Sequence, residues 1–194
     1  MDKEIDLKGS WNELHFKNNA PIVLELACGR GEYSLGLAKL YPSKNFIGVD
    51  IKGARIWRGA VNAQNDKLDN IAFLRTRIEQ LELFFGNNEV DEIWITFPDP
   101  FLGKENRRLT ANSFLNKYKN ILASNAIMHL KTDSQELYRY TKEVLENRPD
   151  IKILVNNPDI YSTVVDPTLE IKTYYEKMHL AKGKKITYLQ FTFI

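Results

Sequence analysis

From residue 22 onward, short apolar runs alternate with segments whose apolar positions recur at helical spacing. That alternation leaves few options: it requires a largely parallel sheet with helices on both faces. Ile22–Leu26 (IVLEL), bounded by Pro21 and a glycine-containing turn, reads as a buried strand. Further strands are expected at 46–50, 71–74, 92–97, 127–130, 151–155 and 186–193. Helices are expected at 33–40, ending before Pro42, and at 53–64, where Ala54, Trp57 and Val61 stand at helical spacing. Others are expected near 78–85, from Thr110 or Asn112 to about 122, and at 170–181 after a loop over 156–168. Ser134 is the expected cap of the clearest helix, whose inner face is Leu137, Tyr140, Thr141, Val144 and Leu145. The expected fold class is α/β: a doubly wound, mostly parallel seven-stranded sheet with an antiparallel terminal strand. One domain over 1–194 is expected, with 1–20 as a short N-terminal arm.

Several function classes drop out on composition. The single cysteine, Cys28, leaves no disulfide framework and no cysteine-rich zinc site. His15, His129 and His179 lack ligand spacing, so no metal is expected. No run approaches the ~20 apolar residues of a membrane helix, and the charged start has no apolar core of a secretory signal. A cytoplasmic protein without membrane contact is expected, as monomer or homodimer. Net charge is only +2, but its distribution is uneven. Residues 101–120 carry five basic side chains against one acidic, 172–185 five against one, and 52–77 six against two. Such segments form either a nucleic-acid footprint or separate solvated faces.

The first strand runs into Glu25-Leu26-Ala27-Cys28-Gly29-Arg30-Gly31-Glu32. Glycines at 29 and 31 let the backbone turn sharply beside a ligand, and the next helix points its N-terminus there. The second strand ends in Asp50, a carboxylate suited to both hydroxyls of a ribose. A nicotinamide dinucleotide would want a third glycine where Ser34 stands. Glu32 would also oppose a pyrophosphate, yet is harmless beside a sulfonium. The balance favours S-adenosylmethionine over NAD.

The loop E-L-A-C-G-R-G resembles the E-x-G-x-G-x-G loop of class I methyltransferases, with Ala27 in place of the first glycine; the turn is expected to survive there provided that its φ stays negative. The fourth strand ends in Phe97-Pro98-Asp99-Pro100-Phe101, and Asp99 to Leu109 resembles the D-P-W…K-R-R-L signature of bacterial tRNA (guanine-N7-)-methyltransferases. Phe101 replaces a tryptophan, the loop is about two residues shorter, and fewer basic residues precede Arg107. Lys131-Thr132-Asp133 resembles the family's K-T-D, and Thr173-Tyr174-Tyr175-Glu176 its T-x-Y-E, with His179 at a position usually aromatic. Together these cover roughly 11–194.

The resemblance implies methyl transfer from S-adenosylmethionine to guanine N7 in the variable loop of tRNA. It places Glu25, Gly29, Gly31, Asp50, Glu79 and Asp99 around the cofactor, with Asp99 catalytic. It places Lys104, Arg107, Arg108, Asp133, Thr173 and Glu176 on the substrate. Each residue also has a plainer reading: Asp99 as a turn former, Arg107-Arg108 as a surface pair, Asp133 as a helix cap, Thr173 and Glu176 as helix surface. Three rival functions remain: a methyltransferase with a protein or small-molecule acceptor, which needs no basic loop; a nicotinamide oxidoreductase; and an RNA-binding module without catalysis.

Overall fold

The computed structural model describes residues 7–162 and 166–194. Seven strands form one sheet: β1 (Ile22–Leu26), β2 (Asn45–Asp50), β3 (Ile71–Arg75), β4 (Val90–Thr96), β5 (Leu122–Thr132), β6 (Ile151–Asn157) and β7 (Thr187–Phe193). Their spatial order is β3-β2-β1-β4-β5-β7-β6. The first five strands pair in parallel, and β7 runs antiparallel to both β5 and β6. The antiparallel terminal strand is thus inserted between its neighbours and does not stand at the edge.

Among the described residues six α-helices accompany the sheet: α1 (Glu32–Leu40), α2 (Gly53–Asn65), α3 (Asn112–Ile121), α4 (Gln135–Glu146), α5 (Pro167–Glu170) and α6 (Tyr174–Ala181). Residues alternate across the pleat, so β1 sends Ile22, Leu24 and Leu26 into one core and Val23 into the other. The first core takes Phe114, Leu115 and Tyr118 of α3 and Leu137 and Leu145 of α4. The second takes Tyr33, Leu35 and Leu37 of α1 and Ala63 of α2. On the first side the arm is tied down too: Trp11 is buried, stacks on Phe85 and donates its indole N–H to the Phe84 carbonyl at 2.9 Å.

The elements match the sequence reading closely, with four instructive differences. β5 begins at Leu122, directly after α3, but residues 123–126 leave the ladder. Val90 pairs Leu122 and Glu92 pairs Ile127, so regular register starts where the apolar run does. The region 156–168 is not all loop, since β6 runs on to Asn157 and a 3-10 turn spans Ile160–Ser162. The helix expected at 170–181 is two helices, because Thr173 is an N-cap whose Oγ1 accepts the Glu176 N–H at 3.2 Å. Finally, α2 buries Ile56, Gly59 and Ala63, whereas Ala54 and Trp57 face solvent and Val61 is only half-buried. The apolar residues that stand at helical spacing in the sequence thus lie on the outer side of the helix. Ser134 caps α4 as expected, accepting the Leu137 N–H at 3.2 Å.

Ala27 overturns the proviso of a negative φ: its φ is +57°, in the left-handed region. The turn survives with alanine there, but at a cost of about 1–2 kcal/mol for the Cβ–carbonyl crowding. Ala27→Gly is therefore expected to stabilise the fold by about 0.5–1 kcal/mol, after allowing for the greater freedom of glycine in the unfolded chain. A denaturant titration would show a raised midpoint with an unchanged slope. A lowered midpoint would mean that packing by the Ala27 methyl outweighs the strain.

Candidate active site at the carboxyl edge of the sheet

Parallel pairing fixes which loops meet. Leu26 of β1 lies opposite Val49 of β2 and Ile95 of β4, and Thr96 of β4 lies opposite Lys131 of β5. The glycine loop, Asp50, the Pro98-Asp99-Pro100 turn and Lys131-Thr132-Asp133 therefore stand side by side at one edge. This is the edge at which open α/β sheets bind ligands.

The glycine loop is closed by one side chain. Glu25 is buried at the end of β1, and its Oε2 accepts the Ser34 N–H at 2.9 Å and the Ser34 hydroxyl. Its Oε1 accepts the Thr96 hydroxyl at 2.5 Å. Burial pushes its pKa up to about 7, and the Ser34 and Thr96 bonds only partly offset that. Glu25 thus clamps the loop from within, joining β1, α1 and β4. Ser34 and Thr96 are site-shaping residues that sequence reasoning missed. The signal available was a lone carboxylate in an apolar strand, which must find buried partners.

Gly29 and Gly31 both have positive φ, +58° and +68°. A Cβ at Gly31 would come within 2.4 Å of the Phe73 ring, so only glycine fits. A Cβ at Gly29 would meet no heavy atom within 4 Å among the described residues, leaving that side of the loop open. Asp50 is drawn onto the loop: Oδ2 accepts the Gly29 N–H at 2.9 Å, and Oδ1 accepts the Lys52 N–H at 2.8 Å. Each oxygen keeps a further lone pair, which is what two ribose hydroxyls require. Glu32 accepts the Tyr174 N–H at 2.7 Å and so ties the start of α6 to the start of α1. Glu79 is exposed in the first turn of a 3-10 helix, Ile78–Leu83, that follows β3.

The turn after β4 is strained on both flanks. Phe97 and Phe101 have φ of +48° and +43°, outliers for aromatic residues. Between them Asp99 is exposed, and its Oδ1 accepts the Phe101 N–H at 2.9 Å. The turn-forming reading of Asp99 is thus correct for one oxygen, and the other remains available.

The basic loop divides. Lys104 and Arg107 are exposed, Arg107 in a 3-10 turn over Glu105–Arg107. Arg108, expected beside them on the substrate, is 1% exposed. Its Nε donates to the Pro100 carbonyl at 2.9 Å, Nη2 meets Glu136, and the guanidinium lies 4.4 Å from the Tyr140 ring centroid. The guanidinium is occupied in folding the loop back onto the Pro-Asp-Pro turn.

Glu176 and Thr173 are likewise interior. Glu176 is fully buried, with Oε2 2.9 Å from Lys131 Nζ and Oε1 accepting the Tyr161 hydroxyl at 2.6 Å. Burial lowers the Lys131 pKa, and the Glu176 carboxylate opposes that. Lys131 also donates to the Leu169 carbonyl at 2.7 Å. Asp133 is not a helix cap: its Oδ2 lies 2.6 Å from Lys184 Nζ and 3.3 Å from His179 Nδ1. His179 in turn stacks at 6.2 Å on Phe97. β5, α6 and the strained turn after β4 are therefore one contiguous assembly. A separate cavity of about 440 Å³ is lined by Lys44, Glu92, Trp94, His129, Leu169 and Tyr188 among others; of the residues just named only Leu169 borders it, and neither Asp99 nor Asp133 does.

A model of the family described as "Putative methyltransferase" matches residues 19–189. A tRNA (guanine-N(7)-)-methyltransferase of Christiangramia forsetii is 51% identical over 194 residues, covering 98% of this chain and 86% of the relative. The chain belongs to the tRNA (guanine-N(7)-)-methyltransferase family. A second member, from Bacteroides fragilis, is 49% identical, covering 96% of this chain and 74% of the relative. The fold is shared more widely. A SAM-dependent methyltransferase from Aquifex aeolicus superposes with a TM-score of 0.64 at 16% identity, covering 99% of this chain and 87% of that one. A 30S ribosomal A1408 methyltransferase from an uncultured bacterium gives 0.69 at 17% identity, covering 96% and 98%. In this family setting, Glu25, Lys131 and Arg108 are the internal frame of the edge that carries the glycine loop and Asp99.

Because the folded Glu25 pKa lies above its unfolded value, protons favour the fold. Its contribution is complete below about pH 4 and is lost as pH rises through about 7. Glu25→Gln can still accept from Ser34 N–H and donate to Thr96. Relative to the parent chain it is expected to gain on the order of 2–3 kcal/mol between pH 5 and 8. Unfolding free energies of both proteins across that range check this; parallel pH profiles would contradict it.

Proposed function

We infer that the chain transfers a methyl group from S-adenosylmethionine to N7 of a guanine in tRNA, in the variable loop. The observation that carries this reading is the kinship at 51% identity over 98% of the chain. The geometry agrees with it. The open side of Gly29 and the spare lone pairs of Asp50 suit the cofactor's amino-acid and ribose ends, and exposed Glu79, in the turn after β3, is our candidate for the adenine end. S-adenosylmethionine supplies an electrophilic methyl on a sulfonium.

Guanine N7 is an unprotonated acceptor on the major-groove edge, so the site needs no base to activate it. The task of the chain is alignment in line with the methyl, where positioning supplies much of the acceleration. The free oxygen of Asp99 can accept from the guanine N1–H and amino group. It then opposes the positive charge that the purine gains on attack. The strained frame of Phe97 and Phe101 fixes that oxygen before substrate arrives. Asp133 offers a second carboxylate beside it, held by Lys184 and His179. Thr173 and Glu176 act from inside, by setting α6 against β5.

Asp99→Asn keeps the turn-forming oxygen but weakens that charge, so turnover is expected to fall about 10²-fold or more. S-adenosylhomocysteine affinity should stay within about twofold. Single-turnover reactions on unmodified tRNA, followed by nuclease digestion and assay of 7-methylguanosine, read the first, and calorimetry reads the second. An Asn variant with parental turnover would reduce Asp99 to a turn residue, and parental enzyme that forms no 7-methylguanosine would sink the function itself.

The division of the basic loop gives a separate expectation. Arg107→Ala should reduce the salt slope of tRNA binding by about 0.7–0.9. Arg108→Ala should leave the slope unchanged and reduce turnover and stability, because it releases the Pro100 carbonyl and leaves Glu136 unpaired. Binding isotherms at four salt concentrations separate the two.

A further inference from the structure

One face of α2 has no structural use. Residues 54, 57, 58 and 61 stand at i, i+3, i+4 and i+7, and so share a face. It is the face turned away from the sheet, since Ile56, Gly59 and Ala63 are the buried positions. On it Trp57 is 64% exposed, with Ala54, Arg58 and half-buried Val61 around it and exposed Arg55 alongside. At the foot of the helix Arg75 donates to the Ile51 carbonyl at 3.4 Å, and exposed Lys52 and Arg77 flank it. The helix sequence GARIWRGAVNAQN holds no acidic residue. Among the described residues no carboxylate is ion-paired with Lys52, Arg55, Arg58, Arg75 or Arg77, although eleven Lys or Arg pairs with carboxylates form elsewhere. α2 starts three residues after Asp50, so this patch begins at the mouth of the site.

We propose that the outer face of α2 is a docking surface for the substrate RNA, in which Trp57 stacks on an unpaired base while Arg55 and Arg58 take the adjoining phosphates. The inference rests on the tRNA reading and adds a contact to it. Aromatic side chains bind the splayed bases of RNA loops by stacking, which needs only an exposed ring and cations nearby. A second copy of the chain fits less well. A two-fold contact would set Arg55 and Arg58 against their own copies, like charge on like charge. A protein partner fits less well too: one tryptophan between an alanine and a valine falls far short of the ~800 Å² that a stable interface buries per side.

The test compares the parental chain with Trp57→Ala, Trp57→Phe and Arg55→Gln/Arg58→Gln. The readouts are filter binding of unmodified tRNA over a salt series with S-adenosylhomocysteine bound, and, in separate reactions supplied with S-adenosylmethionine, formation of 7-methylguanosine. Since Trp57 is exposed, all variants should melt with the parent and bind S-adenosylhomocysteine alike. Trp57→Ala is expected to weaken tRNA binding at least about fivefold at every salt concentration, with the slope unchanged and Trp57→Phe recovering most of the loss. The double arginine variant is expected to flatten the slope by between about one and two units. If the parent binds and methylates tRNA while these variants match it within twofold, the docking surface is wrong and the function stands. If Trp57→Ala halves the sedimenting mass, the face joins copies of the chain and the proposal falls. If Trp57→Ala loses S-adenosylhomocysteine binding in step with tRNA, the residue acts through the cofactor site and the proposal falls as well. A parent that does not methylate tRNA removes the premise, and that result is read without any variant.

Discussion

The carboxyl group of Glu25 is the point from which the active edge is built. Set at the end of a fully buried strand, it cannot be left without partners, because an unpaired carboxyl in a dry core costs several kcal/mol. Ser34 and Thr96 meet that demand from two directions, one at the start of α1 and one at the end of β4. The chain from 26 to 33 must then double back within reach of a single side chain. That forces the left-handed conformations at Ala27, Gly29 and Gly31. Once the loop is closed, the Gly29 N–H is presented to Asp50, and the ends of β1 and β2 that we propose to hold the cofactor are kept in mutual register.

The same demand for partners organises the substrate side. Lys131 at the end of β5 is buried, and Glu176 and the Leu169 carbonyl satisfy it. Those bonds pull α6 and the segment before it across the sheet. Arg108 does likewise for the basic loop, through the Pro100 carbonyl and Glu136. Removing Lys131 or Glu176 strands a buried charge, and removing Glu136 leaves the buried Arg108 without its carboxylate, so Lys131, Glu176 and Arg108 serve as frame. What the frame leaves outside is a smaller set with free valence: one oxygen of Asp99, the cations Lys104 and Arg107, and the arginine face of α2.

Strain also falls at the ends of the two central strands. Ala27 follows β1, and Phe97 and Phe101 bracket the turn after β4; all three have positive φ, and the two strands are neighbours. Aromatic residues held in that region persist only when surroundings over-determine them. Here the Lys131 carbonyl accepts the Phe97 N–H at 2.8 Å and the Asp99 carboxylate accepts that of Phe101. An acceptor fixed before substrate binds needs no reorganisation during reaction, which is the condition for electrostatic stabilisation to count.

By itself the sequence determined what depends on local order. Apolar runs and their spacing gave the strands and most helix limits, and they put the glycine turn, Asp50 and the Pro-Asp-Pro turn at carboxyl strand ends, which parallel pairing brings to one edge, because each is a property of a few neighbouring residues. It could not decide which face of α2 is buried. Its apolar stripe Ala54, Trp57 and Val61 is as regular as an inner face, yet the buried side is the one with Gly59, where a Cβ would come within 2.8 Å of the Phe73 ring and of the Arg30 carbonyl. Nor could it separate Arg107 from Arg108, adjacent and chemically alike. Only the arrival of Glu136 and Tyr140 from α4 takes one guanidinium into the core and leaves the other in water. Whether a charged residue braces the protein or meets its substrate depends on partners distant in sequence, and those are set by tertiary packing alone.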